Sequence, residues 1–203
     1  MKSYHFLKII FLVLPIITIN AQLSFNAEIR PRAEIRDGYK QLPDTFSLPA
    51  FLVSQRSRLA LCFESEKYEL YIAAQDVRVW GDELNYSSTG IKGDNASIDL
   101  KEAWFQLFLT KHLAIKVGRQ ELNYADQRLI GGRNWNQHGM SYDAFLFRYE
   151  ANFTMHAGLS YNNNAELVYQ QLYSTDKMKL LNYIYLNKQL NDKFTGSILY
   201  VMS

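Results

Sequence analysis

Near the start of this 203-residue chain, charged side chains recur at every second position: Glu28, Arg30, Arg32, Glu34 and Arg36. A second group, Arg56, Arg58 and Glu64, repeats the spacing, and Glu102 with Gln106, Lys116 with Gln120, and Arg148 follow further along. A spacing of two places all members of a group on one face of a β-strand. Guanidinium groups arrayed in that way are rungs for carboxylates, because each fork donates two parallel N–H bonds to an anionic group. The same residues would equally serve as interior salt bridges that brace a wall and select nothing, and both roles fit the pattern.

The residues needed for catalysis are not assembled in the same way. His5, His112, His138 and His156 are scattered, and none stands in an H-x-x-x-H or H-x-x-E-H spacing, so no metal site is expected. His156 and Ser160 share a strand face but lie about 13 Å apart along it, too far for proton transfer. The glycine pair Gly131-Gly132 is too short to cradle a phosphate, and no lysine follows it. No enzyme and no cofactor is expected. The lone Cys62 excludes an intramolecular disulfide framework.

The elements that carry the charges are strands. From Leu23 to Arg36 the odd positions are apolar and the even ones polar, an alternation that a helical period would scramble. Val53 to Glu64 repeats it. Further runs cover Tyr68 to Trp80, Ile98 to Leu109, Leu113 to Glu121, Ser141 to Glu150, Phe153 to Tyr161, Lys179 to Lys188 and Lys193 to the end. Asp76 and Arg78 fall in phase with Leu70 and Ile72, the apolar side, which places them past a bulge or above a membrane edge beside Trp80.

The nine runs are joined by connections that alternate between long (37–52, 81–97, 122–140, 162–178) and short (65–67, 110–112, 151–152, 189–192). That rhythm belongs to antiparallel strands with short periplasmic turns and long external loops. The expected fold is therefore all-β, a transmembrane antiparallel up-and-down β-barrel of which about nine strands are present. Phe25, Trp80, Phe108, Tyr149, Phe153 and Tyr161 are suited to its interfacial girdles. The long connection 122–140 holds Arg128, Arg133, Asn134 and Trp135 with two glycines and several amides, a composition suited either to a loop folded into the lumen as a constriction or to an ordinary surface loop.

Lys2 and Lys8, the largely apolar run Ile9 to Ile19 and the small residue Ala21 form the three parts of a secretory leader, so residues 1–21 read as a signal peptide and 22–203 as the barrel part. Without the two leader lysines the 22 basic residues become 22 − 2 = 20, equal to the 20 acidic ones. A neutral chain is no polybasic nucleic-acid binder. The expected partners are outer-membrane lipid and an anionic or polar solute or polysaccharide. A secreted β-sandwich that binds carbohydrate is the competing class.

Several short motifs together resemble the alginate-export family of outer-membrane porins, in a form common in Bacteroidetes. They are Arg30-Pro31-Arg32-Ala33-Glu34, Ser54-Gln55-Arg56-Ser57-Arg58-Leu59, Gln75-Asp76-Val77-Arg78-Val79-Trp80-Gly81-Asp82, Gly118-Arg119-Gln120-Glu121-Leu122 and Gln127-Arg128-Leu129-Ile130-Gly131. The resemblance implies a monomeric barrel of about eighteen strands with an arginine-rich lumen for an anionic polysaccharide. It makes Arg30, Arg32, Arg56, Arg58, Arg119, Arg128 and Arg133 candidate pore or constriction residues. Against that expectation the sequence stops about halfway round, at an odd strand count and without a terminal aromatic, as a C-terminally truncated copy would.

Overall fold

The computed structural model describes residues 21–38, 42–81, 98–163, 166, 169 and 178–202. The expected leader except Ala21, which opens the first strand, nearly all of the second long connection and most of the fourth lie outside them. Nine strands follow in chain order: β1 Ala21–Arg36, β2 Ala50–Ser65, β3 Tyr68–Val79, β4 Ile98–Thr110, β5 Leu113–Gln120, β6 Tyr142–Glu150, β7 Thr154–Tyr161, β8 Leu180–Gln189 and β9 Thr195–Met202. Each pairs antiparallel with the next, in one sheet of order β1 to β9. The fold is all-β and up-and-down, and the sheet is open, with β1 and β9 at its edges. A sandwich needs a second sheet packed face to face, and all nine strands belong to one.

Strand ends differ from the periodicity by a few residues where pairing outlasts alternation. β1 and β2 extend their ladder to Ile35–Phe51 and Arg36–Ala50, so β2 starts at Ala50 and not at Val53. Trp80 ends β3 by donating its backbone N–H to the Val53 carbonyl (2.8 Å).

One ladder line shows how the sheet is staggered. It runs Gln22, Glu64, Glu69, Gln106, Lys116, Leu146, Gly158, Tyr183, Val201. The line enters at the second residue of β1 and leaves at the seventh of the eight in β9, so it climbs from the start of the first strand to the end of the last, which points the same way. Strands that close into a barrel must tilt and stagger in this manner. The residues on this line share one face, called inner below. They change in character around the sheet, polar on β1 to β5 and apolar or aromatic on β6, β8 and β9.

The outer face is apolar along most of its height. Leu23, Phe25, Ile29, Ile35, Phe51, Leu59, Leu70, Ile72, Phe105, Leu107, Val117, Phe145, Leu159, Ile184, Ile198 and Tyr200 stand exposed on it. Phe108 departs from the expected girdle. Its partner is Ala114, and it lines an inner-face recess with Gln106 and Arg148.

Two ladder irregularities fall on β4. Between Ala73 and Ala74 the partner jumps from Glu102 to Leu100, leaving Lys101 as the extra residue of a bulge. A bulge puts two consecutive side chains on one side, and Lys101 and Glu102 both reach the inner face. The β2–β3 register is unbroken through Ser57–Asp76 and Gln55–Arg78. Asp76 and Arg78 therefore stay on the outer face with no bulge before them on that side. They pair with each other (2.7 and 2.8 Å), and Trp80 Nε1 bonds Gln55 Oε1 (3.1 Å) beside them, a polar patch at the long-loop end.

Candidate functional site

The inner face is covered by the connection between β5 and β6, residues 121–141. Turns fold this segment onto itself: the Tyr124 N–H meets the Ile130 carbonyl (3.2 Å), Gln127 N–H the Tyr124 carbonyl (2.9 Å), and Met140 N–H the Gly132 carbonyl (2.6 Å). Nine flat strands would measure about 38 Å across at about 4.8 Å per gap. The folded segment nonetheless touches β1 on one side and Tyr183 of β8 on the other, so the sheet curls around it.

Its two halves hold the wall by different chemistry. Leu122, Tyr124 and Ile130 bury themselves with Leu146, Leu181 and Tyr183, with Tyr142, Tyr185, Leu199 and Val201 packed around. The Tyr124 hydroxyl lies 3.1 Å from that of Tyr183 and 3.0 Å from His156 Nδ1, while His156 Nε2 meets Glu150 Oε1 at 2.8 Å. Burial among these rings pushes the Tyr124 phenol above its ordinary value. Tyr183 reaches this position by lying across Gly158, where any Cβ would overlap its ring.

The other half, residues 133–138, lies on the charged strands. Arg30 donates from Nε to Gln137 Oε1 (3.1 Å), from Nη1 to the Asn134 carbonyl (2.8 Å), and from Nη2 to the Asn136 carbonyl (2.9 Å) and Gln137 Oε1 (2.8 Å). Arg32 Nη1 donates to the Trp135 carbonyl (3.1 Å). Arg56 Nη1 donates to Asn134 Oδ1 (2.9 Å) and Nη2 to Glu28 (2.5 Å). Gln137 also donates to Ser54 Oγ (2.9 Å), and Gln75 Nε2 to the His138 carbonyl (3.1 Å). Between the halves, Lys101 fastens the base of the segment through the Met140 carbonyl (2.7 Å) and Glu121 (3.0 Å).

Each residue that the sequence singles out has a definite place. Arg56 is only 1% exposed. Arg58 bonds Gln75 (3.0 Å), with Glu28 at 4.0 Å. Glu34 is shared by Arg32 (2.5 Å) and Arg36 (2.8 Å). Glu102 accepts from Trp104 Nε1 (3.2 Å) and the Glu121 N–H (3.1 Å). Lys116 rests its ammonium 3.5 Å from the Trp104 ring centre, and Trp104 stacks on Tyr71. Gln120, fully buried, donates to the Ala144 carbonyl (3.0 Å). Arg148 bridges Gln106 and Glu150 (2.6 Å each). Glu64 is on the inner face but at the short-turn end beside Gln22 and Glu66, away from the segment.

Of the loop candidates, Asn134 and Trp135 lie in the clamped stretch, with Trp135 72% exposed. Arg128 points away and pairs with Asp126 (2.9 Å); Arg133 is exposed at a left-handed turn (φ 48°). Arg119 is corrected. Its ladder partners are Ala103 and Asp143, in phase with Val117 and Ile115, so it stands on the outer face and pairs with Asp143 (3.0 Å). It is no part of a constriction. Sequence reasoning did not single out Lys101, Gln75, Gln137, Tyr124 or Tyr183, and it weighed His156 only as a catalytic group. Of these, Gln75 could have been placed by strand parity alone.

A sheet with most of its charges on one face, and a long connection folded over them, matches one family when compared with known proteins. The family model described as alginate export matches residues 21–161, from the first residue of β1 to the last of β7. The chain belongs to the alginate export family. This is a transport family, not an enzymatic one, and is typically placed in the outer membrane. The match takes in the whole of segment 121–141 together with the five strands that carry the charged inner face. None of the curated proteins compared with this alginate-export chain matches it.

Proposed function

We propose that this protein forms the wall of an outer-membrane channel for anionic or polar solutes, a uronate-bearing polysaccharide among them, with segment 121–141 as its constriction. The outer face meets lipid, the inner face lines an aqueous path, and the leader directs the chain to the envelope. One observation carries this reading: the charged side chains of β1 to β5 lie almost entirely on the inner face, opposite an apolar outer face that no other part of the described chain covers.

The chemistry follows from the mouth of the path. A cleft of about 530 Å³ between the long-loop ends of β1 to β3 and residues 136–138 is lined by Arg32, Arg36, Ser54, Asn136, Gln137 and His138. Guanidinium groups in such a confined mouth raise the local concentration of anions and orient carboxylates bidentately. Arg32 and Arg36 are accessible there, whereas Arg56 is sealed beneath the segment.

The test is a reversal-potential measurement in planar bilayers under a potassium chloride gradient. The wild-type channel is expected to favour chloride, and Arg32→Glu with Arg36→Glu to shift the preference toward potassium. Unchanged selectivity in the variant would remove the mouth arginines from the path.

A further inference from the structure

The arginines best placed to receive an anion are already occupied by the chain itself. Arg30, Arg32 and Arg56 hold residues 134–137 through backbone carbonyls and the side-chain amides of Asn134 and Gln137, all of them neutral acceptors. The stretch Arg133-Asn134-Trp135-Asn136-Gln137-His138 contains no carboxylate. Among the described residues Arg30 has no carboxylate within ion-pair distance, and all of its hydrogen bonds run to this stretch. The strands offer Glu28 and Glu34 against Arg30, Arg32, Arg36, Arg56 and Arg58, so the pocket beneath the stretch carries an excess of positive charge.

A carboxylate meets a guanidinium with a full opposite charge and through two parallel bonds, whereas a neutral carbonyl offers only its dipole. The segment is built so that its middle can be exchanged while its ends stay fixed. Leu122, Tyr124 and Ile130 are buried on one side of the stretch, and Lys101 holds Glu121 and Met140 at the base. Left-handed residues flank the clamped residues, Arg133 (φ 48°) before them and Gly139 (φ 68°) after them. The cleft lined by Arg32, Arg36, Asn136 and Gln137 opens beside the clamp.

We propose that residues 134–137 are the resident occupant of an anion-binding site formed by Arg30, Arg32 and Arg56, and that a carboxylate-bearing solute entering from the mouth displaces them and so widens the path. The solute acts as its own key: a neutral sugar of the same size lacks the charge to replace the amide oxygens. The physiological meaning of this latch rests on the channel reading above, but the displacement itself is a property of the loop and is measured independently.

The experiment follows amide hydrogen exchange of the full chain in lipid vesicles, with an oligogalacturonate or with a maltooligosaccharide of equal length, at matched ionic strength. The oligogalacturonate is expected to speed exchange at residues 133–138 about tenfold, the equivalent of losing one charge-assisted bond, and to leave 122–130 unchanged. The neutral oligomer is expected to do nothing. Arg30→Gln should exchange fast without any ligand and respond no further. No acceleration by saturating oligogalacturonate, or equal acceleration by both oligomers, overturns the latch. Conductance recorded in parallel separates the two readings. Loop release without conductance leaves the latch standing and removes the channel, whereas anion-selective conductance with an unresponsive loop removes the latch alone.

Discussion

Glycine to alanine inside a β-strand ordinarily helps, because glycine has no side chain to pack and costs more backbone entropy to order. Gly158→Ala should do the opposite. The alanine Cβ would fall within the Tyr183 ring, overlapping Cε1, Cζ and the hydroxyl. Tyr183 is 3% exposed, so it has no free space to swing into. Moving it breaks the 3.1 Å contact between the hydroxyls of Tyr183 and Tyr124, and opens the 5.1 Å ring pair that seats segment 121–141. Overpacking costs about 1–3 kcal/mol and the buried hydroxyl bond about 1 kcal/mol, so the expected destabilisation is about 2–4 kcal/mol. Urea unfolding of protein reconstituted in micelles reads this as a lowered midpoint. A double-mutant cycle assigns the cause: in a Tyr183→Ala background the added methyl no longer meets the ring, and the penalty should fall below about 0.5 kcal/mol. A stabilising Gly158→Ala, or an equal penalty in both backgrounds, would refute the account of how the segment is seated.

Three further outcomes are expected. Tyr183→Phe, which keeps the ring and removes one hydroxyl, should cost about 0.5–1.5 kcal/mol in the same urea assay and leave ion selectivity unchanged. Lys101→Met removes the cation that binds Glu121 and the Met140 carbonyl; breaking one partner of a buried pair costs about 3–5 kcal/mol, and limited proteolysis should begin to cut within 121–141. Arg119→Ala, on the outer face beside Asp143, should change stability by less than about 1 kcal/mol and leave the reversal potential of the channel where it was.

The alternation of residues 23–36 and 53–64 was enough to place Glu28, Arg30, Arg32, Glu34, Arg36, Arg56 and Arg58 on one face, because a period of two allows no other sorting. The same parity placed Lys116, Gln120 and Arg148. Arg119 illustrates what happens when a motif overrides parity: it stands next to Gln120 in a family-like stretch, yet its phase with Val117 and Ile115 already puts it on the other face. Lys101 was hidden for a different reason. It is the extra residue of a bulge, and a bulge breaks the alternation that would reveal it. Composition marked segment 122–140 as able to fold inward or to remain at the surface, and its direction depended on contacts that no local signal contains, such as Gln137 on Arg30 and Tyr183 over Gly158. The spacing of the arginines fits rungs for a solute and internal braces alike. In the structure Arg30 and Arg56 hold the chain's own amides, a partner that becomes visible only once residues 78 to 107 positions apart meet.

The central claim is that one face of this sheet meets water and the other lipid. The most direct measurement is the reactivity of neighbouring cysteines on β2 with a charged, water-soluble thiol reagent in vesicles. Cys62 lies opposite Ser24 on the inner face, and Leu61 opposite Phe25 on the outer. The native Cys62 should be modified, and a Leu61→Cys, Cys62→Ser variant should resist the reagent while being quenched by a lipid-borne probe. Equal labelling at both positions, or labelling of position 61 alone, would contradict a membrane-spanning wall with its charges turned inward.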